Sequence, residues 1–251
     1  MPAHRTAARA EWDAARAELL RREKELTRTG DELARQRREL PWMPIEKEYV
    51  LQTANGPKTL AKLFDGRSQL IVYHLMFGPD YTGACPVCSS MADSFNGVIP
   101  HLEARDVTMI SISRAPLEKL LAYRERMGWS FEWASSHETD FNYDFGASVP
   151  EDVAREWAEP MLGVEPPPAP VQDADACGTS LVNYISEQPR VTVFARDRDR
   201  VYQTYSTGAR GVEFLMGYYP IFDRMPNGRN EDGSGYRLRR HDEYQDARPS
   251  P

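Results

Sequence analysis

Residues 69–90, QLIVYHLMFGPDYTGACPVCSS, join a near-continuous apolar run to two cysteines separated by two residues. An apolar run of this length, bounded by turn residues, predicts a strand buried on both faces, as in the centre of a parallel sheet. The cysteines follow at once, where a helix begins. Pro86 suits the first helical turn, because its missing N–H would have no partner there. At such a position the free N–H groups and the positive end of the helix dipole favour thiolate over thiol, so Cys85 is the expected nucleophile. Cys88, one turn further in, is placed to attack a mixed disulfide on Cys85 and release the product.

The neighbouring segments predict how that strand is covered. SSMADSFNGVIPHLEARD has helical spacing, with Pro100 expected to kink or split it. VTMISIS is a second buried strand, and APLEKLLAYRERMG is a helix opened by Pro116 and closed by Gly128. Strand, cysteines, helix, strand and helix make a βαβ unit with a parallel sheet, the arrangement of thioredoxin, and the expected class is α/β. EKEYVLQT and ANGPKTL predict a hairpin, FEWASS a short strand and FNYDFGASV a loop. PRVTVFARDRDRVYQTYST predicts a second hairpin, and ARGVEFLMGYYPIFDRM a last helix.

Three regions are expected: an N-terminal helical arm over residues 1–40, a thioredoxin-like domain over 41–226, and a polar, loosely packed tail over 227–251. Within the domain, residues 150–180 contain EPPPAPVQDADACG, which predicts an irregular surface insertion. The arm repeats Trp12, Leu19, Leu26, Leu33 and Leu40 every seventh residue, but its companion positions Ala15, Arg22, Thr29 and Gln36 supply only half an apolar seam. Gly30-Asp31 predicts a break into two helical pieces, and a homodimer through this arm is the alternative to packing within the chain.

No run approaches the roughly 20 apolar residues that cross a bilayer, and the first residues lack a signal-peptide core, so a cytoplasmic protein with no membrane partner is expected. The net charge of −7, with both signs interspersed, argues against nucleic acid. Only three cysteines occur, too few for a stapled secreted scaffold. Chemistry explains the pair better.

Zinc would need a second Cys or His pair at matching spacing, which is missing, so no metal and no cofactor is expected. A copper(I) site on the two thiolates, helped by His74 or His137, is the non-catalytic alternative. A third reading starts from Pro79, Thr82 and Cys85, which resemble, one residue short, the motif in which peroxiredoxins orient a peroxide with a threonine hydroxyl and an arginine. Arg190 and Arg210 are the candidate arginines. Cys177 is expected to be a bystander. For substrate contacts, Pro189 matches the proline that thioredoxins hold cis opposite the active cysteine. Tyr73 and His74 precede the motif on alternating faces, and Trp133 belongs to an aromatic cluster that either packs the core or walls a groove.

The segments ELPWMPIEKEYV, LFDGRSQLIVYHLMFGPD, CPVCS, HLEARDVTMISISRAPLEK, RMGWSFEWASS, DFNYDFG and YSTGARG resemble those of the thioredoxin-like domain-of-unknown-function family 899. The resemblance covers nearly the whole chain. It implies a fold related to the peroxiredoxin and thioredoxin groups, with Cys85, Pro86 and Cys88 as the redox centre. The departures are SSHETDFNYDFG, where the family commonly has a Gly-Ser pair, and the EPPPAP insertion. The expected function is a thiol-disulfide oxidoreductase: Cys85 attacks a protein or small-molecule disulfide, Cys88 resolves, and an external thiol reductant restores the dithiol.

Overall fold

The structure is a computed structural model that describes residues 4–231 and 238–244. The chain forms two compact units, Met1–Trp42 and Met43–Pro251. The first contains one helix, α1 (Arg9–Arg38). Ion pairs one turn apart, such as Arg9 with Asp13, Arg21 with Glu18 and Glu25, and Arg35 with Glu32 and Glu39, support it along its length. The expected break at Gly30-Asp31 does not occur. A mid-helix glycine costs only about 1 kcal/mol, which the flanking helix formers offset.

The second unit runs β1 (Met43–Pro44), β2 (Val50–Thr53), β3 (Gly56–Thr59), β4 (Gln69–His74), α2 (Pro86–Ala92), α3 (Phe95–Glu103), β5 (Val107–Ser113), α4 (Leu117–Arg126), β6 (Trp133–Ser135) and α5 (Phe141–Asp144). It continues through α6 (Glu151–Ala158), α7 (Ala169–Ala176), α8 (Leu181–Ser186), β7 (Arg190–Asp197), β8 (Arg200–Gly208) and α9 (Tyr219–Phe222). Eight strands form one sheet in the order β1-β8-β7-β4-β5-β6-β2-β3. β4 lies parallel to β5, and β5 to β6, while β7 runs antiparallel to β4 and pairs β8 as a hairpin. The segment β5-β4-β7-β8, with helices between its parallel strands, is the thioredoxin-like fold, extended by the β2–β3 hairpin beyond β6 and by β1 beyond β8.

Because β4 has a strand on each side and helices over both faces, its alternating residues feed two separate cores. Leu70 and Val72 join Ile110, Ile112, Phe141 and Phe194 on one face. Tyr73 joins Met76, Met91, Phe95, Trp133 and the cysteines on the other.

Several local expectations change. The chain breaks at Asp93-Ser94, between α2 and α3, rather than at Pro100, which sits inside α3. The supposed loop FNYDFGASV contains α5, and the expected last helix is a 3₁₀ turn (Ala209–Leu215) followed by the single turn of α9. The stretch predicted to be irregular is helical: α6, a 3₁₀ turn at Glu159–Met161, and α7. Pro150, Pro160, Pro168 and Pro170 sit at helix starts, where an N–H is dispensable, so a proline-rich composition concealed two helices. The tail is not loose where it is described. Arg240 is only 5% exposed and reaches the loop before the cysteines. Residues 232–237 and 245–251, the rest of that tail, lie outside the described residues.

Candidate active site

Cys85 caps α2 with its backbone N–H bonded to the Met76 carbonyl, 3.0 Å away at the end of the β4 segment. Pro86 takes the first helical position, as predicted. Cys85 and Cys88 are free thiols, each 1% exposed. They line a cavity of about 560 Å³ whose walls are mostly apolar: Met76, Val87 and Met91 beside them, and Trp157, Met161, Ala169 and Pro170 across from them.

The two sulfurs are not equivalent. The closeness of Cys88, together with burial, holds Cys85 well above its ordinary pKa. Burial works upward on Cys88 too, but its polar neighbours Cys85, Tyr73 and the Met76 backbone outweigh it and lower its pKa. Of the two sulfurs Cys88 is the more acidic, contrary to the expectation that the helix end favours the Cys85 thiolate.

A second chain of groups reaches Cys85 from the opposite wall. Its Sγ lies 3.4 Å from the Tyr184 hydroxyl on α8, which donates over 3.2 Å to Asp173 Oδ2 on α7. Burial pushes the Asp173 carboxyl up to about 6, against the pull of Tyr184 and Arg240. Nearby Glu187, 2% exposed, accepts from Arg114 at 2.7 Å and from Ser148 at 2.8 Å, and burial raises it to about 7.

The loop carrying the dithiol is tied down from both ends of the later chain. The Cys177 carbonyl accepts the Thr82 N–H at 2.8 Å and the Thr82 hydroxyl at 3.1 Å. This approach requires Gly178, at φ +62°, where a Cβ would stand 2.2 Å from Thr82 Oγ1. Arg240 donates to the Ala84 carbonyl at 2.7 Å and to the Ala176 carbonyl at 2.9 Å, joining loop, α7 and tail.

The residues singled out from sequence separate into groups. Cys85, Cys88 and Pro189 line the cavity, and the Tyr73 hydroxyl, from the strand below, donates to Met91 Sδ at 3.3 Å. Among the described residues only Glu165-Pro166 is cis, so Pro189 is trans. Thr82 is within the cysteine loop, yet its hydroxyl is committed to Cys177 rather than to Cys85. Arg190 holds the Gly146 carbonyl and Ser206, and Arg210, which does line the cavity, pairs with Glu213. His74 points to the other face of the sheet, against Phe141 and 3.0 Å from Thr192 Oγ1. Trp133 is fully buried, its indole N–H donating to Ser113, and it is a core residue rather than a groove wall. His137 contacts the Arg114 carbonyl at 3.2 Å. The copper(I) reading thus loses both of its histidines.

Sequence reasoning missed Asp173, Tyr184, Glu187 and Arg240. Asp173 and Tyr184 lie on short helices whose starts, Pro168 and Ser180, are ordinary cap signals hidden in a proline- and acid-rich stretch. Arg240 has no local signal.

The family profile described as "Bacterial protein of unknown function (DUF899)" matches residues 1–244. No curated protein matches the chain. Among solved structures, it is similar to peroxiredoxin Q of Xanthomonas campestris at 12% identity, over 66% of this chain and 84% of that one, with a TM-score of 0.44. It is also similar to peroxidoxin BcpB of Mycobacterium tuberculosis at 13% identity, over 70% of this chain and 92% of that one, with a TM-score of 0.45. No helix among the described residues is long and apolar enough to cross a membrane.

Proposed function

The chain belongs to the DUF899 family of bacterial proteins of unknown function, and from its site we propose that it is a thiol-disulfide oxidoreductase that works through Cys85 and Cys88. The observation that carries this reading is a pair of free, buried thiols one helical turn apart at the wall of an apolar cavity, with the Tyr184 hydroxyl 3.4 Å from Cys85 Sγ. A structural cysteine needs none of that. Deprotonating Cys85 through its contact with Cys88 or Tyr184 gives the attacking thiolate. Cys88 then closes the Cys85–Cys88 disulfide, and an external thiol reductant restores the pair.

A peroxidase reading has less support, because the hydroxyl expected to orient a peroxide is bonded to the Cys177 carbonyl. Thiol alkylation and mass spectrometry across dithiothreitol and glutathione buffers, in a Cys177→Ser background, test the proposal. A reversible disulfide with a midpoint between about −120 and −270 mV is the expected result. Thiols that stay free at every poise would remove it.

A further inference from the structure

The helices that replace the expected irregular insertion do two things at once: they close the cavity over the dithiol, and they bring a carboxyl within two hydrogen bonds of Cys85. We infer that the insertion makes this a reductase of small, uncharged, largely apolar disulfides, with Tyr184 as the proton donor to the leaving thiolate and Asp173 as the residue that positions and recharges it. The inference rests on the dithiol reading above and adds the substrate class and the proton source.

Three observations select the substrate. Both sulfurs are 1% exposed, so a disulfide on a folded protein surface meets Trp157, Met161 and α7 before it meets Cys85. The cavity, about 560 Å³ and lined chiefly by methionine, valine, isoleucine, alanine and proline, is of the size that holds a small ligand. Its carboxyls, Asp173 and Glu187, disfavour an anionic disulfide, and its one arginine, Arg210, is paired with Glu213.

The step uses these side chains and one external dithiol. Cys85, its proton passed to Cys88, attacks one sulfur of R–S–S–R′ as a thiolate, forming the mixed disulfide and breaking the substrate S–S bond. The departing R–S⁻ takes the Tyr184 proton, which Asp173 replaces through their 3.2 Å hydrogen bond. Cys88 then attacks the Cys85 sulfur, closing the enzyme disulfide, and its proton leaves with the second product as R′–SH. Two electrons pass from the cysteine pair to the substrate, and an external dithiol returns them. The groups facing Asp173 are Tyr184, Cys85, Cys177 and Arg240. Its raised pKa, about 6, puts a proton within reach close to neutral pH.

The test compares 2,2′-dithiodipyridine, dibenzyl disulfide, oxidised glutathione and insulin, each rate divided by that of dithiothreitol with the same disulfide. The full-length protein should favour the two apolar disulfides over glutathione disulfide and insulin by about 100-fold. Equal or faster normalised reduction of insulin would overturn the substrate assignment. For the proton source, Tyr184→Phe and Asp173→Asn should each lose about 10-fold more on dibenzyl disulfide, whose thiolate is strongly basic, than on dithiodipyridine, whose leaving group needs little protonation. An equal loss on both disulfides would mark a merely structural role and overturn that part. The midpoint titration on the same samples separates the levels: a reversible Cys85–Cys88 disulfide beside either adverse result leaves the dithiol reading standing, whereas its absence removes both.

Discussion

Tyr73 and His74 are neighbours on β4 and face opposite sides of one sheet. On the side of His74, Phe141, Phe145, Phe194 and the aliphatic residues around them pack closely, and the imidazole, stripped of water, is held neutral, its pKa pushed down to about 3. On the side of Tyr73, polar groups are buried in a layer that leaves space: two thiols, a phenol and two carboxyls surround a cavity. The comparison teaches that burial alone does not make a site. Both faces desolvate titratable groups, but only one gives them partners that can exchange a proton and room for something to react with.

The hardest test of this contrast is to damage the packed face. Phe141 is fully buried between Tyr49, His74 and Phe145, so Phe141→Ala should cost about 3–5 kcal/mol in urea unfolding, with little relief from neighbours that cannot collapse. The same truncation at Met161, on the cavity wall, should cost clearly less.

Acid and base should then pull the two faces in opposite directions. His74 has a folded pKa far below its unfolded value near 6.5, so the unfolded chain binds more protons between those values, and stability falls as pH drops below 6.5, by about 3 kcal/mol at pH 4.5. Glu187 has a folded pKa above its unfolded value, so its contribution is intact below about pH 4.5 and is lost as pH rises through about 7, again by about 3 kcal/mol. Urea unfolding from pH 4.5 to 8 should show His74→Gln losing the acid slope and Glu187→Gln losing the slope on the alkaline side. Matching slopes in the two variants would break the contrast.

Smaller effects sharpen it at the cysteine loop. Arg240→Ala removes charge-assisted bonds to the Ala84 and Ala176 carbonyls and should cost about 2 kcal/mol, with hydrogen exchange accelerated over residues 82–88 and not in β4. Tyr73→Phe removes the bond to Met91 Sδ and a polar neighbour of Cys88, and should cost about 1 kcal/mol and move the pH midpoint of Cys88 alkylation upward. An unchanged midpoint would show that Cys85 and Met76 suffice.

Much of this was legible in the chain. The apolar run of β4, the start of α2 at Pro86 and the hairpin around residues 197–200 are local patterns, and local patterns survive folding. What could not be read is of two kinds. Which of Tyr73 and His74 faces the thiols depends on where the next element lands, because alternation fixes only that they differ. Asp173, Tyr184 and Arg240 come to Cys85 from 88, 99 and 155 positions away, through backbone carbonyls and hydroxyls that leave no trace in composition. Thr82 shows the converse error: a motif at nearly the right spacing, with its hydroxyl spoken for by a carbonyl 95 residues later.

The Arg240 contact also has a consequence in time. Arg240 lies 156 residues beyond Ala84, so at a ribosomal rate of roughly 5–20 residues per second the loop bearing the dithiol waits roughly 8–30 s for the guanidinium that fastens it. Throughout that interval Cys85 and Cys88 belong to a nascent chain. On the proposed dithiol function, the two thiols of the newborn chain meet the oxidants and thiols around the ribosome before the cavity has closed over them.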